Sequence, residues 1–100
     1  MVVLWEDTDA FIGVTYDKNQ EAWQMHADCK KWTPSSFKKY KKGLDYSKQI
    51  LKENGINFVY ALCETEKTKK FNEMFGLKTI PNQIAVDEDG IENYITILET

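Results

Sequence analysis

Polar and apolar positions alternate most clearly between Glu21 and Asp28, where Trp23, Met25, Ala27 and Cys29 fall on one side and Gln24, His26 and Asp28 on the other. A period of two predicts a strand with one buried and one polar face, so this strand should carry a full helical layer on one side only. Upstream, Val2-Val3-Leu4-Trp5 is a short β-prone run, Glu6 to Asp9 is polar enough to turn the chain, and Ala10 to Tyr16 is a second run. Gly13 inside that run predicts a bulge or a close approach. Asp17-Lys18-Asn19-Gln20 reads as a hairpin turn.

The period then changes. Thr33 suits a helix N-cap, Pro34 the first helical position, and Ser36 the first turn. Phe37, Tyr40, Leu44, Ser47 and Leu51 recur at spacings of three and four, widened by Ile50, which predicts an amphipathic helix to about Glu53 with Asn54-Gly55 as its stop. Gly43 in its interior costs about 1 kcal/mol relative to alanine, so a close contact with the sheet is its expected reason. Ile56 to Cys63 is mostly apolar, as expected of a central strand covered on both faces. A second helix should start near Thr65, bury Phe71, Met74 and Phe75, and stop at Gly76, with Leu77 folding back. Pro81 is expected to break the chain before a strand from Gln83 to Asp87; Asp89-Gly90 signals a hairpin, and Ile91 to Leu98 a final strand. The pattern predicts an α/β (α+β) fold in the order β-β-β-α-β-α-β-β, with a largely antiparallel mixed sheet and a helical crossover in its middle.

Composition narrows this to one domain spanning residues 1–100. Hydrophobic residues make up 42% and aromatics 13% of the 100 positions, enough for one packed core. No apolar run is long enough to cross a bilayer, and Met1 to Asp7 lacks the pattern of a signal peptide. A soluble intracellular chain with no membrane partner is expected. Cys29 and Cys63 are too few for a disulfide framework and are expected to be buried thiols, although a bridge between neighbouring strands is conceivable. The net charge of -3 argues against nucleic acid as a partner. Lysines crowd Lys30 to Lys52, acidic residues crowd Asp87 to Glu99, and there is no arginine to clamp phosphate in bidentate fashion.

Few residues offer chemistry. His26 and Asp28 share a strand face, and Asp28 could orient His26 as a base; the alternative is a solvated strand face, since residues two apart on a strand stand about 7 Å apart. Cys29 should point away from His26, which argues against a thiolate pair. Thr33, Ser35, Ser36 and the following backbone could hold a phosphate, with Lys30, Lys31 and Lys38 favouring an anion, or could serve only to cap the helix. The lysine-rich helix, flanked by Trp32 and Tyr40, could bind nucleic acid or an acidic partner, or be a solvated face. Asp87-Glu88-Asp89-Gly90 lacks the oxygen-ligand spacing of a calcium loop and reads as a turn. No metal site is expected.

The element order resembles the GNAT-type N-acetyltransferase fold without its leading strand and two helices. The segment Lys70-Phe71-Asn72-Glu73-Met74-Phe75-Gly76-Leu77 is similar to that family's helix closed by glycine and an apolar residue. The likeness extends to small GNAT-like internal virion proteins of short-tailed bacteriophages, through Trp32, the Lys-rich Phe37 to Lys52, the aromatic-rich Phe58 to Tyr60, and Phe71 to Gly76. It implies acetyl-CoA as a possible cofactor, held at the strand-to-helix join by Cys29, Lys30, Lys31, Ser35, Ser36 and Phe37. The chain departs from the family at the reactive positions. Active members carry Arg/Gln-x-x-Gly-x-Gly/Ala at the join, whereas Lys30 to Ser36 has no glycine and Pro34 removes one N–H donor. The family's tyrosine acid falls at Asn72 and its frequent asparagine at Thr65.

These departures favour a catalytically degenerate protein-interaction module of phage type, in the virion or in the host cytoplasm. The three tryptophans are expected in the core or, where a sheet face is left open, at a protein or homodimer interface. The alternative is an acyl-CoA-dependent N-acetyltransferase with an atypical cofactor loop.

Overall fold

The computed structural model describes residues 1–100 as a mixed α+β domain with the expected element order. The strands are β1 (Val2–Glu6), β2 (Ala10–Asp17), β3 (Ala22–Cys29), β4 (Phe58–Cys63), β5 (Lys78–Val86) and β6 (Glu92–Glu99), and the helices α1 (Pro34–Glu53) and α2 (Glu66–Met74). They form one six-stranded sheet in the order β1-β2-β3-β4-β6-β5. Every neighbouring pair is antiparallel except β3 and β4, which run parallel and share a single registered pair, Gln24 with Tyr60. Neither helix is long and apolar enough to cross a membrane.

The cross-strand register sorts side chains into two faces. Ala10, Ile12 and Val14 of β2 lie opposite Cys29, Ala27 and Met25 of β3, and Val59 and Ala61 of β4 lie opposite Leu98 and Thr96 of β6. This face carries both helices. Tyr40, Leu44 and Leu51 of α1 are buried in one cluster with those strand residues other than Ala27 and Thr96, and Phe71 of α2 and its C-cap Phe75 pack against it. The two helices also meet each other: Tyr40 lies 5.3 Å from Phe71 and 4.9 Å from Phe75, centroid to centroid. The core is therefore a single layer between the sheet and one helical layer.

The helix ends follow the expected signals. Thr33 Oγ1 accepts from the Ser36 N–H, and Thr65 and Thr68 form a reciprocal capping box. Past the two helix ends, Gly55 and Gly76 take φ of 74° and 94°. Gly43 has the reason expected of it, a close approach to the sheet: a Cβ there would sit 2.5 Å from Trp5 Cδ1. Gly13 also marks a close approach, with the Met1 side chain lying over it, rather than a bulge in its own strand.

Four expectations need correction. β4 is covered on one face only, because both helices lie on that same face; on the other, Phe58 is 43% exposed, and Tyr60 and Leu62 point away from the core. Pro81 does not break the chain. It sits inside β5, an edge strand that needs no N–H there, and the ladder shifts register between Thr79 and Ile84, with Asn82 at φ 60°. Met74 is 60% exposed, since only Phe71 and Phe75 of its helix turn inward. Ala27 lies on the core side but is exposed, beyond the one registered pair that joins β3 to β4.

The contact between Gly43 and Trp5 is testable. Gly43→Ala should destabilise the domain by about 1–3 kcal/mol in urea unfolding, through overpacking. In a Trp5→Leu background the same change should be neutral or stabilising by up to about 1 kcal/mol, because the helix propensity of alanine is then unopposed. Equal effects in both backgrounds would contradict the packing argument.

Candidate functional site

The join between β3 and α1 is already supplied with an anion by the chain itself. Asp9, 7% exposed, accepts from Ser36 Oγ at 3.1 Å and from Lys39 Nζ at 3.3 Å, with Lys31 Nζ 3.9 Å away. The Lys39 and Ser36 hydrogen bonds hold the Asp9 carboxyl below its usual range, against some desolvation. The turn that delivers Asp9 is fixed by Asp7, whose Oδ1 accepts from the backbone N–H of Asp9 and Ala10 while Trp5 Nε1 donates to Oδ2. Among the first helical N–H groups, Ser36 bonds Thr33 Oγ1 and Phe37 bonds the Thr33 carbonyl, and Pro34 has none. Only Ser35 keeps an unpaired N–H at this helix start. The positive end of α1 thus faces a protein carboxylate.

The other join residues are dispersed. Lys30, Lys31 and Ser35 are exposed. The Cys29 thiol is buried and donates to the Lys31 carbonyl at 3.2 Å, and burial raises its pKa. Phe37 sits in an aromatic cluster, 6.0 Å from Trp32 and 5.9 Å from Phe71, and Trp32 stacks on Phe71 at 4.8 Å. These rings occupy the space between α1 and α2. Cys29 and Cys63 are both free thiols.

Asn72 is a structural cross-link. Its Nδ2 donates to Cys63 Sγ at 3.0 Å and Thr96 Oγ1 at 3.2 Å, and the Thr96 hydroxyl donates onward to the Ala61 carbonyl. α2 is thereby tied to β4 and β6. Thr65 caps the same helix.

His26 and Asp28 lie on the helix-free face, and no hydrogen bond joins them. Asp28 is exposed, whereas His26 is half-buried, and its pKa falls below 6.5 through desolvation and then through the nearby N-terminal ammonium. No group of three or more His, Cys, Asp or Glu side chains is placed to hold a metal ion. In the Asp87 hairpin, Oδ1 accepts from the N–H of Asp89 and Ile91, and Oδ2 from Asn93 Nδ2.

The helix-free face holds a groove of about 1100 Å³ running from the β2–β3 hairpin to the β5–β6 hairpin. Phe58, Tyr60, Leu62, Ile95 and Ile97 form its floor, with Gln24 and His26 beside them. Tyr60 Oη donates to Asp17 Oδ2 at 2.7 Å, and burial, reinforced by Asp17, pushes the phenol up to about 12. The same bond holds the Asp17 carboxyl below its usual range. The lining carboxylates Asp17, Asp87, Glu88 and Asp89 face one lysine, Lys18.

Sequence reasoning missed this floor. All three tryptophans lie with the helical layer: Trp5 against α1, Trp23 against the core, and Trp32 on α2. The open face carries Phe58 and Tyr60 instead. The available signal was that apolar residues fill both faces of β4 and alternate positions of β6.

Two outcomes follow. Asn72→Ala should cost about 1–2 kcal/mol in urea unfolding, as two side-chain hydrogen bonds are lost; an unchanged midpoint would contradict the cross-link. For His26, whose folded pKa lies below its value of 6.5 in the open chain, the unfolded state binds more protons as pH falls. Its stabilising contribution is full above about 6.5 and is lost as pH drops through the lower folded value. The melting temperature of His26→Gln should therefore fall less than that of the wild type between about pH 7 and 5. Parallel profiles across that window would refute the effect.

Among known proteins, no family model and no curated protein matches this chain.

Proposed function

We propose that this chain is a catalytically degenerate, GNAT-like module of bacteriophage type that acts by binding another protein, in the virion or during host takeover. The observation that carries this reading is the apolar, helix-free face of the sheet. Phe58, 43% exposed, and the half-buried Tyr60, Leu62, Ile95 and Ile97 place neighbouring apolar side chains on a face that no helix covers, and apolar surface of this kind marks interaction sites.

The join supports the same reading. A pyrophosphate there would compete with Asp9 for Ser36, Lys31 and Lys39, and would meet one unpaired helical N–H. At the position of the family's tyrosine acid, Asn72 has its amide engaged with Cys63 and Thr96. His26 has no carboxylate partner, and desolvation lowers its pKa, which suits a groove floor as well as it would a base.

Titrating acetyl-CoA into the protein by calorimetry should give no binding heat, and no acetyl group should pass to simple amines. Saturable coenzyme binding that weakens in Ser36→Ala would replace this proposal with the N-acetyltransferase alternative.

A further inference from the structure

The groove also carries information about what fills it. We propose that its occupant is a basic amphipathic helix of a partner protein, with an apolar stripe laid on Tyr60, Leu62, Ile95 and Ile97 and lysines or arginines set against Asp17, Asp87, Glu88 and Asp89. This inference rests on the reading of the chain as a binding module.

Charge selects the sign of the partner. Four carboxylates and one lysine line the groove. Asp17 is fixed by hydrogen bonds from its own hairpin and from Tyr60, and Asp87 by bonds within its hairpin; these bonds hold both carboxyls below their usual range, so their charge is in place before a partner arrives. The lysines gather on the opposite side of the molecule, where Lys38, Lys41 and Lys42 of α1 and Lys67 and Lys70 of α2 are exposed. A polarised surface of this kind steers a basic ligand to the groove and an acidic one away from it.

Shape selects a helix. The floor is the face of a sheet, so its backbone groups are already paired and a partner strand gains nothing there. Strand addition needs an edge, and both edges are interrupted, β1 by a register shift near Leu4 and β5 by Pro81 and the register shift around it. A sheet face is naturally covered by a helix. The domain measures 33 × 30 × 22 Å, so a covering helix has room for about 20 residues at 1.5 Å each.

A second copy of the chain fits poorly. An isologous pairing of grooves would set the same four carboxylates against themselves. A head-to-tail pairing would offer the outer face of α1, where Tyr40, Leu44 and Leu51 are buried in their own core and Tyr46 alone is a large exposed apolar side chain, too little for the stripe the floor would take.

The test uses the full chain and a labelled 20-residue peptide of leucine and lysine at helical spacing, read by fluorescence anisotropy. The controls are a scrambled peptide of the same composition and a leucine–glutamate analogue. Expected are binding at least about ten-fold tighter than either control, and weakening by about ten-fold in Glu88→Lys/Asp89→Lys and in raised salt. Those two carboxylates make no side-chain hydrogen bond or ion pair, so the double variant should fold. Amide shifts at Tyr60, Leu62 and Ile97 should report the contact, and Phe58→Lys should weaken it. Equal binding of the scrambled or acidic peptide, or indifference to the charge reversal, would overturn the inference. So would a dimer in ultracentrifugation that tightens when Glu88 and Asp89 are reversed, because a second copy would then be the occupant. If no peptide binds and acetyl-CoA does not bind either, the claim about the occupant fails alone. Coenzyme binding would instead remove the module reading beneath it.

Discussion

The fold turns on the direction in which its two crossovers travel. From β3 the chain passes through α1 to β4, its parallel neighbour. From β4 it passes through α2 to β5, which is also parallel to β4 because both are antiparallel to β6. Both steps move the same way across the sheet. Crossovers of this type are right-handed almost without exception, so two that progress in one direction place their helices on one face. Covering the opposite face would require a helical crossover that runs back the other way, and the one connection that does run back, from β5 to β6, is a hairpin.

Much of the detail follows from that one-sidedness. Two helices on one face must pack against each other, and Phe37, Tyr40, Phe71 and Phe75 form the seam between them. Trp5 lies under α1 closely enough that position 43 has no space for a side chain. The start of α1 is drawn to the β1–β2 turn by Asp9, and α2 is drawn to β4 and β6 by Asn72. The start of α1 and the middle of α2 are thus the points that hold the two helices to the sheet. A carboxylate fixed at a helix start stabilises the fold and, by the same charge, disfavours an added anion.

The chain pattern made the elements legible because each depends on local signals. Thr33-Pro34, Asn54-Gly55, Thr65 and Gly76 act within a few residues of themselves, and the alternation from Trp23 to Cys29 reports one strand's two environments. Strand order is not local, and that is where the sequence misled. The apolar run Phe58 to Cys63 looks the same whether its outward side meets a second helical layer or solvent, so two-sided coverage was a reasonable but incorrect expectation. Pro81 is compatible with an edge strand and with a break, and only the position of β5 beyond β6 decides between them. Asp9 could not be assigned to the helix start, because its partners Ser36 and Lys39 lie 27 and 30 residues away. The site residues were drawn from the join for the same reason: its composition is distinctive, whereas the groove floor is assembled from β4 and β6, more than 30 residues apart.

The open face differs in kind from an ordinary solvated sheet. An antiparallel sheet that faces water on one side usually alternates apolar inward and polar outward. β3 obeys this with Gln24, His26 and Asp28, but β4 and β6 do not, since Phe58, Tyr60, Leu62, Ile95 and Ile97 point outward. The boundary between the two regimes runs along the single registered pair of the parallel strands, Gln24 beside Tyr60. At that boundary the Tyr60 hydroxyl reaches Asp17 across β3, giving this half-buried phenol a charged partner and fixing a carboxylate at the apolar edge. An apolar floor alone would invite any hydrophobic surface. The same floor beside four carboxylates repels acidic ones, and the discrimination comes from the repulsive element as much as from the attractive one.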